Sequence, residues 1–468
     1  MKHVHSFAGD VMGELDAVGV ARAIAAGDFT AAEATEAALA RIDAVNGTLG
    51  AVAFDDRERA RLRAGGNGFS GVFAGVPALI KNNTAFAGVP TRQGSAAVGD
   101  RPAARNEPFT DEFLGTGVNL LGASTLPPFG LTATTEFVDR EPTRNPWDTE
   151  YSAGASSGGS AALVAAGAVP IAHANDGGGS IRIPAAACGL VGLKPTRGRT
   201  APSPMAKTAP IDLVCNGIVS RSVRDTAYFL ADLERQRSVK LEPIGLVEGP
   251  AQRRLRIGLV TDSITGQPID ADTRSALTGT VDLLSELGHH VEEVPIPISP
   301  AYIRQFVDYW AMLAYFLDHF GGRLTGPGFD RSKLDPFTHS LGRRFGRGFY
   351  RAPASIVGLK RATAHFREAM SSFDVIMSPT LAHTTPKLGY LDPAGDFDEV
   401  LDRLIKYVAY TPANNTSGAP AVSLPLGTSA DGLPIGVHFS ADLGGERTLL
   451  ELSYELEAAR PFVRIQDR

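Results

Sequence analysis

Two clusters of glycine and serine, 152–160 (SAGASSGGS) and 177–180 (GGGS), bracket an apolar segment running from Ala161 to Ala172. By composition alone the first cluster reads as a flexible linker. The apolar stretch directly behind it, and the second cluster beyond, favour tight backbone turns at the two ends of a buried unit. A helix over roughly 159–168 advances about 15 Å at ~1.5 Å per residue. A returning strand over 169–174 covers about 20 Å at ~3.3 Å per residue. The two nearly cancel, so Ser156 and Ser180 are expected at one edge of a sheet. That edge holds the N-terminus of the helix and the C-terminal end of the strand, where open α/β sheets bind ligands.

Lys81 follows the apolar run 72–80 (VFAGVPALI), which reads as a buried strand. It too is expected at a strand end, so three reactive groups could converge. Residues 11–45 read as two Ala-rich helices, the second opened by Thr30 and Glu33 at capping-box spacing and ending near Asn46-Gly47. Further strands are expected near Leu120-Leu121 and over 254–262, 290–294, 373–378 and 419–426. Helices are expected over 272–287, 306–320 and 446–459. Helices alternating with buried strands, and the lack of a long linker, predict an α/β fold built as a single large domain, with a central mixed sheet flanked by helices.

Composition narrows the function. The net charge of −6 gives no basic footprint for nucleic acid. Cys188 and Cys215 are too few for a disulfide framework, and no Cys, His or Asp cluster has metal-ligand spacing. The first residues, MKHVHSFAGD, lack the apolar core of a signal peptide. No apolar run approaches the ~20 residues needed to span a bilayer. A cytoplasmic protein without membrane contact is therefore expected. The segment 321–361 carries nine Lys/Arg against two Asp, which reads as a solvated face.

An acyl-transfer intermediate develops a negative oxygen that needs preorganised N–H donors. A run such as Gly177-Gly178-Gly179-Ser180 lets successive amides turn inward. The sequence Ser180-Ile-Arg-Ile-Pro reads as the start of a short helix whose positive end would favour that oxygen.

The motifs GVPALIKNN (75–83), GASSGGSAALVAAG (154–167), HANDGGGSIRIPAAACGLVGLKPTRGR (173–199) and SGAPAVSLPLG (417–427) resemble the amidase signature family in order and spacing. The likeness covers nearly the whole chain, 1–468, with the signature core at about 70–230. Within the family the chain is similar to stand-alone amidases and to cyclic nylon-oligomer hydrolases.

The resemblance implies a hydrolase acting on the carbon–nitrogen bond of linear amides. It assigns Ser180 as nucleophile, Ser156 as bridging serine and Lys81 as base. It places the oxyanion hole at Gly177, Gly178 and Gly179, with Ser157, Asp176 and Arg182 in support. It implies a small-molecule amide substrate, no cofactor and no metal; the sequence leaves the assembly open, a homodimer being the preferred expectation. Asn82 and Gly177 depart from the commonest family pattern, which has Asp and Thr or Ile there. His173 is the histidine nearest these motifs and reads as structural. The aromatic helix 306–320, the loop Leu126 to Phe129 and the stretch Tyr407 to Thr416 are candidates to line an acyl pocket.

Three other readings compete. The A subunit of an aminoacyl-tRNA amidotransferase would carry the same catalytic residues, although 198–212 does not resemble it. A nucleophile elbow at Gly154-Ala-Ser-Ser-Gly158 would need a hydrophobic strand before it, where the sequence has NPWDTEYSA. A non-catalytic protein on the same scaffold would lack one of Lys81, Ser156 and Ser180, and all three are present.

Overall fold

A computed structural model of the chain describes residues 3–66, 68–296 and 298–468; Met1 and Lys2 of the N-terminal segment considered above lie outside them. Among the described residues eleven strands form one sheet. In chain order they are β1 (Val52–Asp55), β2 (Pro77–Lys81), β3 (Asn119–Ser124), β4 (Ile171–Asp176), β5 (Val191–Lys194), β6 (Cys215–Ser220), β7 (Arg256–Leu259), β8 (His290–Glu293), β9 (Val375–Pro379), β10 (Ala421–Thr428) and β11 (Pro434–Ser440). Their spatial order is β1-β3-β2-β4-β6-β5-β10-β11-β9-β7-β8. β2 runs parallel to both β3 and β4, and β7 to both β8 and β9, while the other pairs are antiparallel. This is the mixed sheet expected, flanked by helices in an α/β fold.

Every residue of β2 to β6 is buried. Helices cover both faces of these central strands, so apolar residues run continuously instead of alternating. The helix Gly158–Ala165 is buried all round. Its glycines and alanines let it lie directly on the sheet.

Local chemistry sets several boundaries. Thr30 accepts from the Glu33 amide at 3.1 Å while the Glu33 carboxylate accepts from the Thr30 amide at 2.7 Å. This reciprocal pair opens the helix Ala31–Leu49. That helix continues past Asn46-Gly47 to Leu49. The Asn46 side chain instead accepts from the amides of Ala51 and Val52, ordering the entry to β1. The run 72–80 is a strand only from Pro77, because 72–75 form a turn before it.

The helix expected over 306–320 spans Ala301–Thr325, and only its inward stripe is core. Val307, Tyr309, Ala311 and Ala314 are buried, whereas Phe316 and Phe320 are 43% and 41% exposed. The strands β1, β5, β6 and β11 went unforeseen. In the basic segment, Arg343, Arg344, Arg347, Arg351, Lys360 and Arg361 point to solvent as expected. No helix among the described residues is long and apolar enough to cross a membrane.

Candidate active site

β2 and β4 are parallel neighbours, with Ala78 opposite Ile171 and Leu79 opposite Ala172. Lys81 and Asp176 are the last residues of these strands, so both come to the same edge of the sheet. Lys81 is fully buried. Its Nζ lies 2.7 Å from Ser156 Oγ, 2.7 Å from Asn175 Oδ1 and 3.5 Å from the Asn175 carbonyl oxygen. Burial strips water from the ammonium and brings its pKa down to about 7, with the Asp176 carboxylate opposing the shift.

Behind the lysine, its backbone amide donates to His173 Nδ1 at 3.2 Å. That bond sets the tautomer, so the His173 Nε2–H faces Asn216 Oδ1 at 3.3 Å. Burial, then the neighbouring Lys81, holds the imidazole pKa down at about 3. His173 is thus a neutral, satisfied core residue packed on Phe109, as expected of it.

Ser156 sits on the loop entering the helix Gly158–Ala165, and the Ala155–Ser156 peptide bond is cis. Gly130 presses against it: φ is +69°, and a Cβ there would lie 2.9 Å from Ser156 Oγ. A side chain at 130 would both strain the backbone and displace the serine hydroxyl. Ser157 donates to the Ser180 carbonyl at 2.6 Å, tying the two serine-bearing loops together. Ser160 donates to the His173 carbonyl at 2.7 Å and meets Ser124 Oγ at 2.7 Å. These bonds pin the start of the helix to β3 and β4.

Ser180 occupies the turn between β4 and the helix Arg182–Cys188 and is half-buried. It does not open that helix, which begins two residues later. The positive end of the helix is already met by Asp176: one carboxylate oxygen accepts from Gly179 N at 2.7 Å, the other from Ile181 N at 3.1 Å. Of the three glycine amides, then, that of Gly179 is engaged by a carboxylate. Those of Gly177 and Gly178 have no partner among the described residues. Gly179 itself must be glycine: φ is +133°, and a Cβ would lie 2.3 Å from Thr411 Oγ1.

Asp176 and Arg182 are both fully buried and form a bidentate pair, with both N···O distances 2.9 Å. Burial alone would raise the Asp176 pKa, but Arg182, Lys194 and Asn415 together hold it well below the usual carboxylate range. Arg182 also donates to Asn415 Oδ1 at 2.7 Å and to His438 Nε2 at 2.9 Å. Asn415 Nδ2 returns 2.8 Å bonds to the carbonyl and carboxylate of Asp176. Thr411 donates to the Gly178 carbonyl at 2.7 Å. The turn carrying Ser180 is thereby clamped from the far end of the chain.

We expect Arg182→Met to lower the unfolding free energy by about 3–5 kcal/mol, because it leaves a buried carboxylate without its counter-charge. The midpoint of a urea melt at unchanged slope measures this, and a loss below about 1 kcal/mol would contradict it.

Sequence reading missed Asn175, Asn83, Asn414, Asn415 and His438. The first two stand inside the motifs, but an asparagine just past or at the end of a strand reads as a turn former. Asn414 and Asn415, on the helix Pro412–Ser417, and His438, on β11, approach Arg182 only through the folding of segments more than two hundred residues away. Asn82 is a loop fastener: its side chain donates to the Pro90 carbonyl at 2.8 Å and accepts from Arg92 N at 2.9 Å. No bond joins the Ser156 and Ser180 hydroxyls among the described residues, a contact that in such sites tightens when substrate binds. Of the expected pocket segments, Phe306 approaches Gly178, where a Cβ would lie 3.6 Å from the ring tip, and Thr411 lies against Gly178 and Gly179; Gly130, one residue beyond the expected loop, meets Ser156. Cys188 and Cys215 are buried and unbridged. No group of three His, Cys, Asp or Glu side chains among the described residues is arranged to hold a metal ion.

The family model described as Amidase matches residues 33–450. The chain is 47% identical over 468 residues to the Mycobacterium leprae protein named "Putative amidase AmiC", spanning 100% of this chain and 99% of that one. It is 33% identical over 478 residues to the 6-aminohexanoate-cyclic-dimer hydrolase of Paenarthrobacter ureafaciens, covering 96% of this chain and 95% of that one. A solved structure of 6-aminohexanoate cyclic dimer hydrolase complexed with substrate superposes with a TM-score of 0.85 at 30% identity, over 97% of this chain and 98% of the other. With its mixed sheet and its match over almost the whole length, this chain belongs to the amidase signature family of hydrolases, which act on amide carbon–nitrogen bonds.

Proposed function

We propose that the protein hydrolyses a linear carboxylic amide to carboxylate plus amine or ammonia through an acyl-enzyme on Ser180. Neutral Lys81 accepts the Ser156 proton, and Ser156 takes the proton of Ser180 as its Oγ attacks the carbonyl carbon. The developing oxyanion lies against the amides of Gly177 and Gly178, with Gly179 holding the turn through Asp176. Collapse of the tetrahedral intermediate breaks the carbon–nitrogen bond. The proton returns from Lys81 through Ser156 to the leaving nitrogen. Water then attacks the ester by the same relay and frees Ser180. The chemistry needs no metal or organic cofactor.

The observation that carries this reading is the fully buried Lys81 with Nζ 2.7 Å from Ser156 Oγ. A lysine without carboxylate contact, facing a hydroxyl, is arranged to act as a base. The clamp on the Ser180 turn supports it, because a preorganised donor loop is worth about 10²–10³ in rate per donor.

The test is turnover of chelator-dialysed enzyme on a panel of linear aliphatic, aryl and peptide-terminal amides, with cyclic amides as the comparison arm. Hydrolysis of a linear amide at an undiminished rate after dialysis is expected. Failure on every linear amide, or a rate restored only by added zinc, would overturn the reading.

A further inference from the structure

We infer that Asn175 is a positioning residue for the base: its side-chain carbonyl takes an N–H of Lys81 and so aims the amine lone pair at Ser156. This rests on the lysine-base reading above. An ammonium offers three N–H donors and no acceptor. After losing one proton the amine keeps two donors and gains a single lone pair, and catalysis depends on where that lone pair points. Three oxygens surround Nζ. Asn175 Oδ1 at 2.7 Å and the Asn175 carbonyl at 3.5 Å can only accept, whereas Ser156 Oγ at 2.7 Å can give a proton. One residue therefore takes the N–H groups, and the remaining direction faces the serine.

The orientation of Asn175 is itself fixed. Its Nδ2 donates to Asn83 Oδ1 at 2.9 Å, and Asn83 Nδ2 donates back to Asn175 Oδ1 at 3.2 Å. The Thr84 hydroxyl donates to the same Asn83 oxygen at 3.4 Å, and the Lys81 ammonium, which can only donate, sets the direction of the pair by requiring an oxygen of Asn175. Were the amides reversed, the Asn175 NH₂ would donate into the lone pair and silence the base. The other ionisable groups facing Lys81 are Asp176, one residue along β4 and neutralised by Arg182, and His173, held neutral behind the backbone. Position 175 thus supplies a strong acceptor to the amine without supplying a negative charge.

Charge and hydrogen bonding separate in two variants. Asn175→Asp keeps the shape and the acceptor but adds a carboxylate beside the amine. The limb of kcat that rises with pH should move up by about 1–3 pH units, the usual effect of an opposite charge at this range. Asn175→Leu removes the acceptor. It should lower kcat by about 10–100-fold with KM little changed, part of the ~10²–10⁴ that a general base contributes. Its limb should move to lower pH, because the ammonium loses a charge-assisted bond.

A lower kcat with the limb moved to lower pH in Asn175→Leu supports the proposal, while Asn175→Asp reports the added charge; a purely structural role lowers the activity of Asn175→Leu and leaves its limb in place. Lys81→Ala run in parallel separates the two ideas. If it turns over at the wild-type rate, the lysine base fails and the role of Asn175 with it. If it is inert while the Asn175→Leu limb stays at the wild-type position, only the Asn175 assignment falls. A melting curve for each variant checks folding, and Asn175→Ala, which also removes the acceptor, decides the matter by the same limb and kcat readout if Asn175→Leu does not fold.

Discussion

Ser180→Ala should abolish turnover, lowering kcat by about 10⁶-fold, the loss typical of removing the nucleophile from an acyl-enzyme mechanism. The same variant should fail to react with a fluorophosphonate probe, whereas the wild-type protein should carry the adduct on the Ser180 peptide. Ser180 sits at the end of the glycine turn, half-buried, next to the Gly177 and Gly178 amides that have no partner among the described residues. Ser156 is 3% exposed, wedged between Gly130 and the Lys81 amine. It has no comparable row of donors before it. Ser156→Ala should therefore slow labelling without preventing it, since the nucleophile survives without its proton carrier. Mass spectrometry that located the adduct on Ser156, with Ser180→Ala still labelled, would reverse the roles of the two serines.

Lys81→Ala is expected to lower kcat by about 10²–10⁴-fold while the protein stays folded. The wild-type rate should rise with pH through an apparent pKa near 7, because only the neutral amine can accept a proton. The sign follows from burial. Desolvation penalises the ammonium, so the folded protein binds this proton less tightly than a free lysine at about 10.4 does. With a pKa of about 7, about nine-tenths of the amine is neutral at pH 8 and about one-tenth at pH 6. A flat profile from pH 6 to 9, or substantial activity in the variant, would remove the lysine from the mechanism.

Much of this site is legible in the sequence, for a physical reason. The segment from 154 to 182 is a local unit in which glycine spacing, helix rise and strand rise are short-range quantities, and their arithmetic brings its two ends together. The Ser157–Ser180 bond meets that expectation. Lys81 could be placed at a strand end because an apolar run stops abruptly before it.

Where reading stopped short, the deciding contacts are long-range. That the Gly179 amide and the end of the Arg182–Cys188 helix turn to Asp176 follows from an Asp176–Arg182 pair clamped by Asn415 and His438. No local pattern announces that clamp. β5 and β6 were invisible for a related reason. They are short and glycine-bearing, and they become strands because β4 and β10 offer edges on either side. The helix from 301 misled through its aromatic density, since Phe316 and Phe320 belong to its outward side.

The order of strands in the sheet bears on how such a protein comes to exist on a ribosome. Strands drawn from the first 220 residues form one half, and β9, β7 and β8 form the other. In the sheet, among the described residues, the two halves are joined through β10 and β11, which lie between them although they come later in the chain than the strands on either side. The clamp on the Ser180 turn, Thr411 to Asn415 and then His438, arrives with the same late stretch. A nascent chain can hold Lys81, Ser156 and Ser180 and still lack the centrepiece that fixes them. A chain truncated before residue 440 would therefore carry Lys81, Ser156 and Ser180 without the central strands and the clamp that hold their surroundings in place.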